Sequence, residues 1–230
     1  KYLKKYPEVQ KIGIGLPGMI TKDRSTPLEI PAIPDLNGFA LKAGLLEKYP
    51  QHDFYMENDA AAAAIGEFYY GKGDVAENFL FITMGTGIGS ALVLDGQVFK
   101  GSRGNALEMG HMLSRGNAGL ENLIGRNGIL RIMDNLISSY PEKAGELVGK
   151  ELGTHLLVDT AKKGNEVSLM VFKEVAEILS EAIVSTVRIL DVTDVYFGGG
   201  ISAGLEFMMP TIEYNTRKFL TPYYVKDLKL

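Results

Sequence analysis

Asn78–Phe99 reads NFLFITMGTGIGSALVLDGQVF, and this stretch governs the interpretation of the whole chain. An apolar strand pattern over Phe79–Met84 leads into the glycine-rich segment Gly85-Thr86-Gly87-Ile88-Gly89. Two further apolar runs follow it, separated by Asp95-Gly96. Because an Asp-Gly pair between two strand patterns is a strong hairpin signal, the glycine-rich segment is predicted to be a tight turn between strands. A dinucleotide-binding fingerprint is excluded, since its glycines must open a helix.

Local sequence leaves two interpretations of the turn Gly85–Gly89. Backbone N–H groups without side chains around them can approach an anion closely, and the hydroxyl of Thr86 adds a further donor. These features favour a phosphate as the ligand. The alternative is a corner between two strands that uses glycine only for its positive φ, because glycine-rich turns are common.

The composition limits the class of protein. A chain of 230 residues can bury a large core and form one or two lobes. No apolar run approaches the roughly 20 residues that a membrane helix requires. The absence of cysteine excludes disulfides and cysteine-ligated zinc, and it is compatible with a cytoplasmic location. The net charge is −4 and no basic block follows the first five residues, so nucleic-acid binding by this region is disfavoured.

Hydrophobic periodicity predicts helices and strands on both sides of the turn. The prolines and the lack of periodicity in Thr21–Phe39 predict an ordered loop. Glu166–Leu190 is apolar on most of its circumference and is predicted to be a long, largely buried helix. His52 and His155 lie in polar surroundings and are predicted to be surface residues. The other predicted elements are strands at Lys11–Leu16, Phe54–Met56, Asp194–Phe197 and Val225–Leu230, and helices at Leu41–Tyr49, Ala60–Tyr70, Ala118–Leu136, Glu146–Ala161 and Thr211–Phe219.

Asn58 and Asp59 stand at the N-terminal edge of the predicted helix Ala60–Tyr70. One interpretation is that one of them caps the helix, which is the usual role of such residues at this position. The other is a functional carboxylate at the edge of a cleft. An acid at a helix start stays ionised and can accept a proton from a substrate hydroxyl. The local sequence does not distinguish the two.

Glu108 and His111 are three residues apart, so on a helical turn they share a face. Three interpretations are open: half of a metal site, a pair that holds a polyhydroxylated ligand, or a buried histidine hydrogen-bonded to the glutamate. Farther along, Gly198-Gly199-Gly200 directly follows a predicted strand. In an α/β sheet that position is at the carboxyl edge, where ligands bind, although a loop that only needs small residues has the same pattern.

Six motifs follow one another along the chain. They are Gly13-x-Gly15-x-Pro17-Gly18, Glu57-Asn58-Asp59-Ala-Ala-Ala-Ala, Gly85-Thr86-Gly87-Ile88-Gly89, Glu108-x-Gly110-His111, Leu120-Glu121 and Gly198-Gly199-Gly200. Each motif alone is weak evidence, but their order and spacing over nearly the whole chain are specific. The set resembles the ROK family, the group of bacterial sugar kinases and sugar-responsive repressors within the actin/hexokinase-like superfamily.

The resemblance implies an α/β fold of the two-lobed actin/hexokinase-like (ribonuclease H-like) type, with a sugar and ATP in the cleft between the lobes. Residues 1–77 would form a partial N-terminal lobe with the catalytic aspartate. Residues 78–230 would form the C-terminal lobe with the phosphate turn, the sugar-binding residues and the nucleotide-side glycines. The family's opening Asp-x-Gly-Gly-Thr phosphate loop and its closing helix have no counterpart in this sequence. We therefore expect a fragment with an incomplete N-terminal lobe that is inactive alone.

The same resemblance implies roles for individual residues in the transfer of the ATP γ-phosphate with Mg²⁺. Asp59 resembles the catalytic base that takes the proton from the attacking sugar hydroxyl. The residues that resemble sugar ligands are Asn58, Glu108, His111 and Glu121, and Gly18 and Asn37 lie where the family's loop lines the sugar site. The residues that resemble the second phosphate loop are Gly85, Thr86, Gly87 and Gly89, and those that resemble the nucleotide-side glycines are Gly198, Gly199 and Gly200.

Two further departures from the family pattern concern metal binding and the glycine turn. Many members carry a cysteine-rich zinc site between the histidine and the later glutamate. Here no cysteine separates His111 from Glu121, so no zinc is expected, and the position of Glu121 depends on a shortened loop. Gly89 is followed by Ser90 where the family usually has another glycine, which is a small change.

Two functions from different classes fit these features. The first is an ATP-dependent kinase of a hexose or an N-acylhexosamine, of the glucokinase type, acting as a homodimer or homotetramer in the cytoplasm. The second is a ROK-type sugar-sensing transcriptional regulator whose DNA-binding domain lies outside this chain. Asp59 together with the Gly85–Gly89 turn favours the kinase, because a sensor has no need for ATP contacts. Neither a membrane nor a nucleic acid is expected as a partner of this region.

Overall fold

The computed structural model describes residues 2–6 and 8–230, and the chain divides into two compact units. Unit 1 comprises Lys1–Glu77 with Ala91–Leu107, and unit 2 comprises Asn78–Ser90 with Glu108–Leu230. The chain leaves unit 1 after residue 77, and residues 91–107 return to it. In the part of the chain that the structure describes, none of the helices has both the length and the apolar character needed to cross a membrane.

The chain contains both strands and helices, in runs of each kind. The strands are β1 (Lys11–Leu16), β2 (Met19–Ile20), β3 (Pro27–Glu29), β4 (Asp53–Asn58), β5 (Phe79–Met84), β6 (Ile88–Leu94), β7 (Gln97–Val98) and β8 (Val195–Gly198). The helices are α1 (Tyr2–Lys5), α2 (Leu41–Lys48), α3 (Asp59–Tyr70), α4 (Leu120–Ile124), α5 (Arg126–Ser139), α6 (Pro141–Ala144), α7 (Thr154–Lys162), α8 (Glu166–Leu190), α9 (Leu205–Phe219) and α10 (Pro222–Val225).

In unit 1, β1 and β4 form a parallel pair in register from Lys11↔Asp53 to Leu16↔Asn58. The two strands therefore end side by side, at the edge of the pair where α/β proteins bind ligands. Unit 1 has a small hydrophobic core that includes residues of both strands. It consists of Leu16, Ile20, Ile30 and Met56.

The predicted loop Thr21–Phe39 is ordered. Its first part turns back through the short antiparallel pair of β2 and β3. At the turn, the hydroxyls of Thr21 and Ser25 donate hydrogen bonds to the Asp23 carboxylate, with Oγ1–Oδ1 at 2.6 Å and Oγ–Oδ1 at 2.9 Å. These bonds hold the pKa of Asp23 below its ordinary value, and the bond from Thr21 has the largest effect.

Two strands within Asn78–Phe99 form the predicted hairpin. β6 and β7 pair antiparallel through Val93↔Val98, and Asp95 and Gly96 connect them with φ of 50° and 70°. Positive φ at both central residues is the type I′ geometry that an Asp-Gly pair favours. These two strands belong to a four-stranded sheet in the order β7-β6-β5-β8.

The core of unit 2 is built on β5 and α8. β5 is buried along almost its whole length and pairs parallel with β8 from Leu80↔Val195 to Thr83↔Gly198. α8 has the predicted bounds and buries more than one face. It begins where the Asn165 side chain accepts a hydrogen bond from the Ser168 N–H at 3.0 Å, and it ends at Asp191 in the left-handed region.

Several predicted elements were wrong in extent. The helix predicted over Ala118–Leu136 is two helices, α4 and α5, because Gly125 interrupts it with extended backbone. The helix predicted over Glu146–Ala161 is a single turn at Gly145–Leu147 followed, after a loop, by α7. The strand predicted at Val225–Leu230 is replaced by the short helix α10 and a single bridge of Lys229 to Asp194.

His52 was predicted to lie on the surface, and this was wrong. Its side chain is buried beside Phe54, and its Nδ1 lies 2.8 Å from the carbonyl oxygen of Val9. The partner is distant in sequence, so the polar neighbours of His52 gave no sign of it. His155 is exposed, as predicted.

The packing of α8 leads to a stability prediction. Leu179 is fully buried on this helix, so Leu179→Ala is expected to lower the free energy of unfolding by about 2–5 kcal/mol through lost contacts and a cavity. Ile189, on the same helix, is 77% exposed, and Ile189→Ala is expected to change it by less than about 0.5 kcal/mol. Urea unfolding followed by circular dichroism measures both, and equal effects would contradict this placement of α8.

Candidate functional site

Asn58 is fixed at the start of α3 by two hydrogen bonds from its side chain. Its Oδ1 accepts from the Ala61 N–H at 3.1 Å and so caps the helix, as one of the two interpretations predicted. Its Nδ2 donates to the Gly18 carbonyl oxygen at 3.2 Å. Capping therefore leaves Asn58 joined to the loop after β1, and the orientation of its amide is determined.

Gly18 occupies a position that only glycine tolerates. Its φ is +88°, and a Cβ there would overlap the carbonyl oxygen of Glu29. The close approach of the two backbones directs the Gly18 carbonyl toward Asn58. The backbone geometry therefore explains why residue 18 is a glycine, independently of any ligand.

Asp59 begins α3 and is exposed. Its Oδ1 accepts a hydrogen bond from the adjacent Ala60 N–H at 2.9 Å, and within the described residues its Oδ2 makes none. Gly15, near the end of β1, is close to Asp59: a Cβ built on Gly15 would lie 3.7 Å from the Asp59 Cα. One carboxylate oxygen is therefore held at the helix start, and the other is open to solvent.

Glu57, directly before Asn58, is a residue that sequence reasoning did not single out. Its carboxylate pairs with Arg24 at 2.8 Å and with Lys100 at 3.0 Å, and it also accepts the Asn58 N–H at 3.1 Å. Three separate segments of unit 1 are thereby held at the end of β4. The position of Glu57 directly before Asn58 was the only local sign of this role.

Asn37 uses its side chain within its own loop. Its Oδ1 accepts the Ile30 N–H at 2.8 Å, and the residue is exposed. Its Nδ2 makes no hydrogen bond to any residue that the structure describes. A sugar contact through that group stays a prediction.

The turn Gly85–Gly89 lies between β5 and β6, as predicted. Gly85 donates its N–H to the Gly87 carbonyl at 2.9 Å, and Arg126 donates its N–H to the Thr86 carbonyl at 3.1 Å. The N–H and hydroxyl of Thr86 and the N–H of Gly87 have no acceptor within the described residues. Adjacent free donors on a glycine-rich turn suit an anion.

Glu121 closes one side of this turn. Its Oε2 accepts the Ile88 N–H at 2.9 Å. A Cβ on Gly87 would overlap the same oxygen, so glycine is what allows the carboxylate to come this near. The turn therefore already holds one carboxylate of the protein, a contact that the sequence did not predict.

Glu108 and His111 lie at the two ends of a single 3₁₀ turn, Met109–His111. The i, i+3 spacing places them on one side of that turn. His111 is exposed, so the interpretation as a buried histidine was wrong. The Met109 N–H donates to Ser90 Oγ at 3.2 Å, which means that the serine after Gly89 ties this turn to β6.

A short hairpin leads from His111 to Glu121. Leu120 donates its N–H to Met112 at 2.9 Å, and Ser114 donates to Ala118 at 2.8 Å. Gly116 and Asn117 turn the chain with φ of 63° and 59°. The shortened loop is thus closed by its own main chain, and it places Glu121 beside the glycine turn.

Gly198 is the last residue of β8, and Gly199 and Gly200 follow it at the same sheet edge as the glycine turn. Thr83 pairs with Gly198, and Gly199, with φ of +90°, lies against the Met84 carbonyl. The two glycine segments of unit 2 therefore leave neighbouring parallel strands side by side. This is the carboxyl edge at which open α/β sheets bind ligands.

A cavity of about 200 Å³ adjoins Gly200. Its lining includes the apolar residues Leu157, Val158 and Phe172 together with Asp159 and Lys162 of α7. A mostly apolar lining with a few polar groups is typical of small-molecule sites. As for metals, the ranges 2–6 and 8–230 contain no group of three or more His, Cys, Asp and Glu side chains placed to hold an ion.

Comparison with known proteins establishes the family. The ROK family pattern matches residues 1–228. The chain belongs to the ROK family. Its fold is the mixed α/β fold of ROK sugar kinases, of the actin/hexokinase-like type, as predicted.

Relatives of this ROK chain include both kinases and repressors. It is 29% identical over 242 residues to the xylose repressor of Caldicellulosiruptor bescii, covering 97% of the chain and 60% of the repressor. It is 28% identical over 232 residues to the glucokinase of Thermotoga maritima, covering 95% of the chain and 72% of that enzyme. The chain thus spans less than two thirds of the repressor's length.

Solved structures agree on the fold. A Cytophaga hutchinsonii protein assigned to the sugar kinases has a TM-score of 0.91 and 32% identity, over 99% of this chain and 76% of that one. A Streptomyces griseus ROK glucokinase in complex with glucose and AMPPNP has a TM-score of 0.80 and 24% identity, over 94% and 74% of the two chains.

The geometry of Gly18 yields a prediction. Gly18→Ala adds both positive-φ strain and an overlap with Glu29, whereas Gly38→Ala adds only the strain, because Gly38 has φ of +77° and open space around it. We expect Gly38→Ala to lower the free energy of unfolding by about 1–2 kcal/mol and Gly18→Ala to lower it by clearly more. Chemical denaturation measures both, and a Gly18→Ala variant no less stable than Gly38→Ala would refute the assigned contact.

Proposed function

We propose that this chain is the sugar- and nucleotide-binding part of an ATP-dependent kinase whose substrate is a hexose or an N-acylhexosamine. The observation that carries the proposal is the exposed Asp59 carboxylate, held by α3 through one oxygen and open at the other. A base positioned in this way can remove a proton from an attacking hydroxyl. The kinase relatives at about 28% identity support the same class.

The reaction transfers one phosphoryl group. A sugar hydroxyl gives its proton to Asp59, and its oxygen forms a bond to the γ-phosphorus of ATP. The bond from that phosphorus to the β–γ bridging oxygen breaks, and ADP leaves with the electron pair. The products are the sugar phosphate, ADP and the proton on Asp59, which is released to solvent.

The sugar contacts are assigned to the residues that resemble the family's sugar ligands. In unit 1 these are Asn58 and the loop of Gly18, with Asn37 as a further donor. In unit 2 they are Glu108, His111 and Glu121. Carboxylates accept hydrogen bonds from sugar hydroxyls, and amide and imidazole groups can also donate them, so the set suits a polyhydroxylated ligand.

The nucleotide is assigned to the sheet edge of unit 2. The free donors of Thr86 and Gly87 suit the phosphates, and Gly198–Gly200 and the cavity beside them suit the nucleoside. Magnesium bound to ATP would neutralise phosphate charge in this site. The AMPPNP complex of the S. griseus glucokinase supports a nucleotide in this fold.

A second candidate is a sugar-sensing regulator. The observation in its favour is the 29% identity to the xylose repressor over 97% of the chain. The sugar contacts would be the same, but Asp59 would have no proton to accept and the nucleotide site would be unused. A homodimer or homotetramer and a cytoplasmic location stay predictions under either function.

Asp59→Asn separates the two functions. In the full-length protein we expect turnover to fall by about 10²–10⁴-fold, because the base is lost, while sugar affinity is kept. ADP release across a panel of hexoses and N-acylhexosamines measures turnover, and calorimetry measures sugar binding. If the wild type releases no ADP with any sugar yet binds one, the regulator is correct and the kinase proposal fails.

Filling the cavity tests the nucleotide assignment. Val158→Trp places an indole against Leu157 and Phe172, and we expect KM for ATP to rise about tenfold or more, equivalent to about 1.4 kcal/mol. Sugar affinity should not change. Val148→Trp, at an exposed position away from the cavity, is the matched control and should leave KM for ATP unchanged. An unaltered KM in Val158→Trp would remove the nucleotide from this cavity.

A further inference from the structure

We propose that Glu121 is a positioning residue that couples the sugar to the glycine turn Gly85–Gly89, so that sugar and ATP each strengthen the binding of the other. The inference rests on the proposed function, in which Glu121 contacts the sugar. It goes further, because a sugar ligand as such has no bearing on the nucleotide.

The two carboxylate oxygens of Glu121 can bind different partners. Oε2 is committed to the Ile88 N–H at 2.9 Å. Oε1 makes no hydrogen bond to any other described residue. A carboxylate offers about four acceptor positions, so a sugar hydroxyl can donate to Oε1 while Oε2 keeps its bond to the turn.

The main chain around Glu121 is attached to the same turn. The Gly125 N–H donates to the Glu121 carbonyl at 2.7 Å, and the next residue, Arg126, donates its N–H to the Thr86 carbonyl at 3.1 Å. The turn is therefore bonded at two points to one segment, residues 121–126. The Glu121 side chain accepts the Ile88 N–H, and the Arg126 N–H donates to the Thr86 carbonyl. Between these two bonds lie the free donors of Thr86 and Gly87.

The Glu108–His111 turn adjoins the same place. A Cβ on Gly110 would overlap the Ile88 carbonyl and lie 3.5 Å from Glu121 Cβ, so the two turns are in close contact. Met109 is bonded to Ser90, directly after the glycine turn. The unit 2 residues assigned to the sugar are therefore attached to the strand that begins at the phosphate turn.

Coupling follows from this shared attachment. A sugar hydroxyl on Oε1 restricts the carboxylate, which restricts Ile88 and with it the neighbouring donors. Because part of the ordering has then already occurred, a phosphate binding second loses less conformational entropy. The effect is reciprocal by thermodynamic necessity, and couplings of this kind typically change affinity about 5–150-fold.

Calorimetry of the full-length protein tests the coupling. AMP-PNP with Mg²⁺ is titrated in the absence and in the presence of saturating sugar, the sugar being the one that gives the highest turnover in the panel. We expect the sugar to lower Kd for AMP-PNP about fivefold or more in the wild type. In Glu121→Ala the ratio should approach one even when the sugar is saturating.

Three variants keep the test specific. Glu121→Gln retains an acceptor for the Ile88 N–H and should restore part of the ratio, which a general loss of structure would not. Gly87→Ala displaces the Glu121 carboxylate from the turn while residue 121 stays glutamate. The ratio of the two Kd values should approach one in this variant as well, so the test remains possible if Glu121→Ala does not fold. Glu108→Gln should weaken sugar binding but leave the ratio at saturation as in the wild type.

The outcomes separate this inference from the proposed function. A wild type that phosphorylates a sugar but binds AMP-PNP equally well with and without it overturns the coupling alone. So does a Glu121→Ala variant with the wild-type ratio. A wild type that binds neither sugar nor nucleotide overturns the proposed function and the coupling together.

Discussion

The hydrogen bond from the Ile88 N–H to the Glu121 carboxylate joins the parts of unit 2 on which its candidate site depends. It brings the start of α4 onto the glycine turn, and it requires that residue 87 have no side chain. The short hairpin before Glu121 and the bond of Arg126 to Thr86 hold the same arrangement from either side. With this bond in place, the N–H groups of Thr86 and Gly87 have no acceptor among the described residues, and such donors suit an anion.

Unit 1 follows the same principle with different groups. The Asn58 side chain binds one main-chain N–H and one main-chain carbonyl, and a glycine at position 18 makes the second contact possible. The ion pairs of Glu57 fix the end of β4 from behind. In both units, a polar side chain is oriented by the backbone. The second Nδ2 hydrogen of Asn58 and the Oε1 of Glu121 are therefore pre-positioned for a ligand. Such preorganisation is what phosphoryl transfer requires of a protein.

Local signals predicted much of the fold. The apolar circumference of α8 and the Asp95-Gly96 hairpin depend on neighbouring residues, and the structure confirms both predictions. It also confirms one of the two interpretations of Asn58-Asp59, because Asn58 caps α3. What failed depends on distant partners or on competing local chemistry. His52 is buried by a carbonyl 43 residues away, and Glu121 meets Ile88 across 33 residues. At the C-terminus, Pro222 at the first helical position favours α10 over the strand that Val225 suggested.

A crystal structure of the full-length protein with its sugar and AMP-PNP would test the central claim most directly. We expect one Glu121 carboxylate oxygen within hydrogen-bond distance of the Ile88 N–H and the other within that distance of a sugar hydroxyl, both at about 2.7–3.2 Å. We also expect the AMP-PNP phosphates to lie against the Thr86 and Gly87 N–H groups. A Glu121 side chain turned away from Ile88, or with neither oxygen on the sugar, would contradict it.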